Sequence, residues 1–129
     1  MLFPAELVPL DGHLLRLGKM DHLVCFLPGL LALGVNSTRV FGGRPQTALE
    51  HMTVARGLMR TCYELYAQSP SGLAPEIVRF GDNASAPDFV IDPNAAHSLL
   101  RPETVGELHI MRIRRAACLR RHLHRWRAC

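Results

Sequence analysis

The stretch TALEHMTVARGLMRTCYELYAQ, Thr47–Gln68, decides how the rest of the chain is read. Leu49, Met52, Ala55, Leu58, Met59, Cys62, Leu65 and Tyr66 recur at intervals of three and four, the spacing of one helical face. Thr47 stands as an N-cap with Glu50 three places on, the capping-box spacing. Ser69-Pro70-Ser71-Gly72 ends the pattern, so a helix is predicted over 48–68. Upstream, His22 to Gly34 is apolar on nearly every face, which marks a buried helix. Asp21 is placed to cap it and Pro28 to kink it. Residues 34–46 and 81–94 have loop composition, and Glu76–Phe80 reads as a short extended piece. Residues 3–17 read as extended segments around an Asp11-Gly12 turn, and Pro102 suits the first turn of a last helix from about Glu103.

The chain has 129 residues, 48% of them apolar, with a formal net charge of +4. That is room for one small domain and is a globular composition. The longest apolar run, Leu23 to Val35, contains Pro28 and Gly29 and falls short of the about 20 residues a membrane span needs. No basic and then apolar leader opens the chain, so no targeting signal is read in it. The charge is uneven. Residues 1–111 hold all 11 acids but only eight of the 15 bases; the other seven, all arginine, follow from Arg112. The body is mildly acidic and the basicity belongs to residues 112–129.

Two helices with short extended pieces make an odd domain, since an all-round apolar helix needs neighbours that so short a chain does not supply. The sequence reads as a piece of something larger. Four stretches then stand out in order: Lys19 to Gly29 (KMDHLVCFLPG), Thr61 to Tyr66 (TCYELY), Gly72 to Val78 (GLAPEIV) and Leu99 to Val105 (LLRPETV). Together they closely resemble the class I α-1,2-mannosidases of glycoside hydrolase family 47, over roughly residues 17–111. The resemblance implies an all-α fold, a fragment of an (α/α)7 barrel of helical hairpins with short extended segments. It implies calcium-assisted, inverting removal of mannose from high-mannose N-glycans of glycoproteins, in the lumen of the endoplasmic reticulum or Golgi. Nucleic acid is not an implied partner.

Arg101-Pro102-Glu103 is a sensible glycosidase element in its own right. The positive end of a helix favours negative charge at its first residues, and an arginine beside it can fork onto sugar hydroxyls or hold a carboxylate in place. The resemblance makes Glu103 the candidate general base, which activates the water that inverts the anomeric centre. It places His22 and Arg101 in the mannose pocket and Glu76 beside the glycan cleft. Read alone, a histidine at the entry to a buried helix is more often a satisfied core residue, and Glu76 is equally a plain structural carboxylate. Cys25 and Cys62 match family cysteines that form a disulfide, worth roughly 3–4 kcal/mol on chain-entropy grounds and suited to an oxidising lumen. The other reading is two buried thiols acting as small hydrophobes. Asn36-Ser37-Thr38 and Asn83-Ala84-Ser85 are glycosylation sequons in expected loops.

The chain also departs from the family pattern. The general acid and second catalytic carboxylate of the family lie amino-terminal to the matched region, and the threonine that binds calcium lies near its carboxyl end; neither has a counterpart here. Gly106 stands where the family has a second glutamate, and Glu107 comes one place late. The expectation is therefore a partial catalytic domain over residues 1–111, inactive by itself, with no metal ligands of its own. The alternative is a non-catalytic, lectin-like relative that keeps glycan affinity. The arginine-rich end, 112–129, is read as outside the fold, the product a shifted frame in a GC-rich gene would give. Two other readings of that end are an anionic-surface or nucleic-acid contact, and a zinc site of Cys118, His122, His124 and Cys129, whose spacing matches no familiar finger.

Overall fold

A computed structural model describes residues 1–40, 45–81 and 87–122, with side chains for 1–35, 46–81 and 87–113. The chain opens with an antiparallel hairpin, β1 (Glu6–Leu10) and β2 (His13–Leu17), in register from Glu6↔Leu17 to Leu10↔His13. Asp11 and Gly12 make the turn at φ of 47° and 80°. Both lie in the left-handed region that a type I′ hairpin turn requires, and Asp-Gly is among the dipeptides that reach it most cheaply. A second sheet, in the order β3-β4-β5, joins β3 (Lys19–Asp21), β4 (Ile77–Arg79) and β5 (Val90–Ile91), all antiparallel. Arg79 donates to Asp92 Oδ2 at 3.0 Å and ties β4 to the end of β5.

Three helices carry the bulk: α1 (Leu27–Val40), α2 (Pro45–Ala67) and α3 (Glu103–His122). The fold is helix-rich with short extended segments, as expected; those at 3–17 and 76–80 pair into two small sheets, and Val90–Ile91, within the expected loop 81–94, supplies the last strand. Residues 22–34 are also not one kinked helix. His22–Phe26 forms a 3-10 turn, and α1 starts at Leu27 with Pro28 in its first turn. A proline there lacks only a donor that would have no intrahelical acceptor, so it starts a helix without bending one. Asp21 has the extended backbone of a cap but makes no side-chain cap bond, because Lys19 Nζ holds its carboxylate at 3.3 Å. Helix α1 runs past Gly34 to Val40, so the sequon Asn36-Ser37-Thr38 sits on helical backbone and not in a loop. Asn83-Ala84-Ser85 lies outside the described residues, as do 41–44 of the expected loop and 123–129 of the arginine-rich end.

Helix α2 begins at Pro45, two residues before the expected cap. Thr47 is therefore inside it, and Glu50 accepts from Gln46 Nε2 at 3.1 Å in place of closing a capping box. Most of its periodic face becomes the core: Ala55, Leu58, Met59, Cys62 and Leu65 are buried and Met52 and Tyr66 half-buried, but Leu49, near the start of the helix, is exposed. Met20, Val78, Phe80 and Phe89 from the sheet side complete that core, with Phe3 stacked on Phe80 at 4.1 Å between ring centroids. The expected burial of the first apolar helix holds on one side only. Leu23, Phe26, Leu30 and Leu33, at intervals of three and four, form a stripe about half exposed. Helix α3 continues beyond Met111, where the motif resemblance stops, to His122.

Candidate active site

The site is assembled where β3, β4, α2 and the start of α3 converge. His22 follows β3 directly, and its backbone N–H donates to the Glu76 carbonyl, just before β4, at 2.9 Å. Pairing of β3 with β4 thus sets His22 beside Glu76. Three residues after His22, Cys25 is disulfide-bonded to Cys62, with Cα atoms 5.8 Å apart. Four residues after Cys62, on the same face of α2, comes Tyr66. The disulfide therefore fixes a second rung one turn away, in which the Tyr66 hydroxyl and His22 Nε2 are 3.1 Å apart.

Glu76 is the anchor of the segment that leads into α3. One carboxylate oxygen accepts from the Leu99 N–H at 2.9 Å and the other from Arg101 Nε at 2.7 Å. Desolvation pushes this carboxyl up, but the Arg101 guanidinium and the Leu99 amide outweigh it and hold it below the usual glutamate range. Between the two tied residues Leu100 adopts φ of 53°, a left-handed conformation unusual for leucine. Such a backbone persists where its surroundings over-determine it, and here both flanking residues are bound to one carboxylate. The turn it makes delivers Pro102 and Glu103 to the first turn of α3.

Glu103 enters α3 as its only acidic first-turn residue. Its Oε2 is buried with no hydrogen-bond partner among the described residues, and lies 4.0 Å from His22 Nδ1, which is likewise buried and unpartnered. His22 is 3% exposed. Burial lowers the imidazole below its usual range; Glu103 and Glu76 pull it upward and Arg101 pulls it down again, so the neutral ring prevails. Its other nitrogen, Nε2, meets the Thr104 hydroxyl at 3.3 Å as well as Tyr66. Buried polar atoms in native proteins nearly always find partners, so these two orphans 4.0 Å apart, with Glu107 Oε2 as a third, single out this corner of the fold.

The structure thus brings His22, Glu103, Arg101 and Glu76 into one cluster, but gives them unequal duties. Arg101 does hold a carboxylate, that of Glu76 and not Glu103. Glu76 spends both oxygens inside the protein. Tyr66 and Thr104 escaped the reading of single residues, although both lie within quoted motifs. The helical interval from Cys62 to Tyr66 was the available signal. Glu107, one place late in sequence, is 3% exposed and rests against α1 at Gly29, where a Cβ would occupy the place of its carboxylate. The described residues gather no group of three or more His, Cys, Asp or Glu side chains able to hold a metal ion. None of their helices is long and apolar enough to cross a membrane.

A buried carboxylate with an unpaired oxygen, and an imidazole 4.0 Å from it, are group types that acid–base chemistry uses. The model of glycosyl hydrolase family 47 matches residues 5–121, and the chain belongs to that family. The chain is 50% identical over 92 residues to the rat endoplasmic reticulum mannosyl-oligosaccharide 1,2-alpha-mannosidase, covering 70% of this chain and 13% of the rat protein. It is 45% identical over 102 residues to the Schizosaccharomyces pombe enzyme of that name, covering 74% and 20% respectively. For the Saccharomyces cerevisiae enzyme the identity is 44% over 110 residues, covering 72% and 20%. The chain therefore spans between about an eighth and a fifth of the length of these curated relatives. The match also extends past Met111, along α3.

Proposed function

We propose that this chain is the base-bearing part of an α-1,2-mannosidase that trims mannose from high-mannose N-linked glycans. One observation carries the reading: Glu103 Oε2 is buried, unpartnered and set 4.0 Å from the equally unpartnered His22 Nδ1. An oxygen held between them accepts from Nδ1–H and gives its own proton to the carboxylate, which is the task of a general base on attacking water. Arg101 stands at the rim, fixed by Glu76, where its remaining N–H groups can meet sugar hydroxyls. Inversion needs a second carboxyl across the glycosidic bond, about 6.5–9.5 Å from the first. Glu76 is spent on Arg101 and Leu99, and the general acid of the family lies amino-terminal to the matched region, so in this reading the acid comes from outside these residues. By themselves the 129 residues bind a mannoside and release no mannose.

The exposed stripe of Leu23, Phe26, Leu30 and Leu33 supports α1 and α2 as a hairpin within a larger (α/α)7 barrel, whose other helices cover it. Calcium, the family's cofactor, finds no set of three acidic or imidazole ligands among the described residues, and no step above runs through it. The Cys25–Cys62 bond and the names of the relatives support the lumen of the endoplasmic reticulum or Golgi as the compartment.

The test is saturation-transfer NMR of the oxidised chain with α-1,2-mannobiose, beside an assay for released mannose with calcium added. Sugar contact that vanishes in Glu103→Gln, with no release, is the expected pair of results. Contact indifferent to Glu103, or mannose release by the chain alone, would refute the proposal.

A further inference from the structure

We propose that Tyr66 is a positioning residue that acts through His22, fixing the imidazole in the Nδ1–H tautomer so that an N–H donor faces the slot beside Glu103. The inference rests on the reading of that slot as the place of the reacting oxygen. Its grounds are geometric. His22 Nε2 has two hydroxyl neighbours, Tyr66 at 3.1 Å and Thr104 at 3.3 Å, and both hydroxyls can donate. His22 Nδ1 lies 4.0 Å from the Glu103 carboxylate, whose charged form only accepts. A lone pair on Nδ1 would repel the negative oxygen 4.0 Å away, whereas a proton there faces it favourably. Neutral imidazole has one proton to place, and these neighbours place it on Nδ1.

The Tyr66 ring is held for this task. It meets the imidazole edge-on, with centroids 5.7 Å apart, and lies one helical turn from the disulfide that clamps α2 to the turn after His22. Among the described residues, the charged groups acting on the imidazole are Glu103 from α3, Glu76 just before β4, and Arg101. The two carboxylates favour a proton on the ring and none supplies one to Nε2. Glu103, which only accepts, draws that proton to Nδ1, and the Tyr66 hydroxyl, a phenol that donates better than it accepts, fills the lone pair left on Nε2. With Nδ1–H in place, an oxygen in the slot receives a hydrogen bond from His22 and has its own proton directed at Glu103. With the proton on Nε2, Nδ1 would compete with Glu103 for that proton.

The experiment is long-range 1H–15N correlation of the histidine side chains in the 15N-labelled, oxidised 129-residue chain at pH 7. The His22 signals among the seven histidines are assigned by their loss in His22→Gln. The wild-type ring is expected as Nδ1–H, with the unprotonated nitrogen assigned to Nε2. Tyr66→Phe, which keeps the ring and deletes the donor, shifts the tautomer ratio toward Nε2–H by roughly 2- to 10-fold, the worth of one hydrogen bond. Tyr63→Phe, on an exposed position of the same helix, leaves it unchanged. A wild-type Nε2–H ring, or a ratio indifferent to Tyr66→Phe, overturns the inference; the first reading needs no variant to fold. Loss of mannobiose contact with the tautomer as expected would instead count against the proposed function.

Discussion

The packing of α3 on α1 passes through one position without a side chain. Glu107 lies against Gly29, and a methyl group at residue 29 would take the place of its carboxylate. Gly29→Ala therefore forces the carboxylate aside within a region where Glu107 is 3% exposed. Overpacking of this kind costs about 1–3 kcal/mol, while replacing glycine inside a helix returns roughly 0.5–1 kcal/mol. The net loss is about 1–2 kcal/mol. In the Glu107→Ala background the obstruction is gone, and Gly29→Ala should be neutral or stabilising by the helix term alone. The coupling between the two changes is then about 2 kcal/mol, well above the roughly 0.5 kcal/mol scatter of independent sites. Urea unfolding of the four chains measures it, with unchanged slopes showing that the transition stays comparable. If Gly29→Ala costs the same in both backgrounds, the contact between α1 and α3 is not as described and the reasoning fails.

Four further outcomes follow from the same geometry. Burial raises the Glu107 carboxyl above its usual 4.5, against the opposing pull of the Gly29 amide, so the folded state binds that proton more tightly than the unfolded one. Its contribution is fully present below pH 4.5 and is lost as pH rises through the folded value. Glu107→Gln should gain stability relative to wild type across that rise, and a flat difference would exclude it. Replacing Cys25 and Cys62 by alanine, which opens a loop of sequence separation 37, should cost about 4 kcal/mol in chemical unfolding. A loss below about 1 kcal/mol would show that the bond is not what clamps α2. Glu76→Gln breaks a charge-assisted bond to Arg101 and should cost roughly 1–3 kcal/mol, with faster amide hydrogen exchange at Leu99; unchanged exchange would refute the anchoring role. Arg101→Lys should weaken mannobiose contact although charge is kept, because one planar donor set holds Glu76 and faces the sugar together.

Much of the site was legible from residue order. The four motif stretches contain His22, Glu103, Arg101 and Glu76, which the fold sets close together, and the periodicity of 48–68 marks most of the face of α2 that becomes the core. Boundaries were less legible, because capping signals compete with neighbours that only the fold supplies. Asp21 lost its cap to Lys19, Glu50 turned to Gln46, and Pro28 started a helix that its mid-sequence position suggested it would bend. The extended pieces were visible, but their pairing was not, since β3 and β4 lie far apart in sequence and neither is long enough to show alternation. Glu76 gave no sign that both its oxygens would be used internally. The role of Tyr66 needed the disulfide and the helix interval together.

The central claim is that Glu103 and His22 jointly hold one oxygen atom. A crystal structure of the oxidised chain soaked with α-1,2-mannobiose tests it most directly. The account predicts a water or sugar hydroxyl oxygen within hydrogen-bond distance of both Glu103 Oε2 and His22 Nδ1, with the disaccharide beside Arg101. An empty gap between those two atoms, or a disaccharide seated elsewhere on the chain, would contradict it.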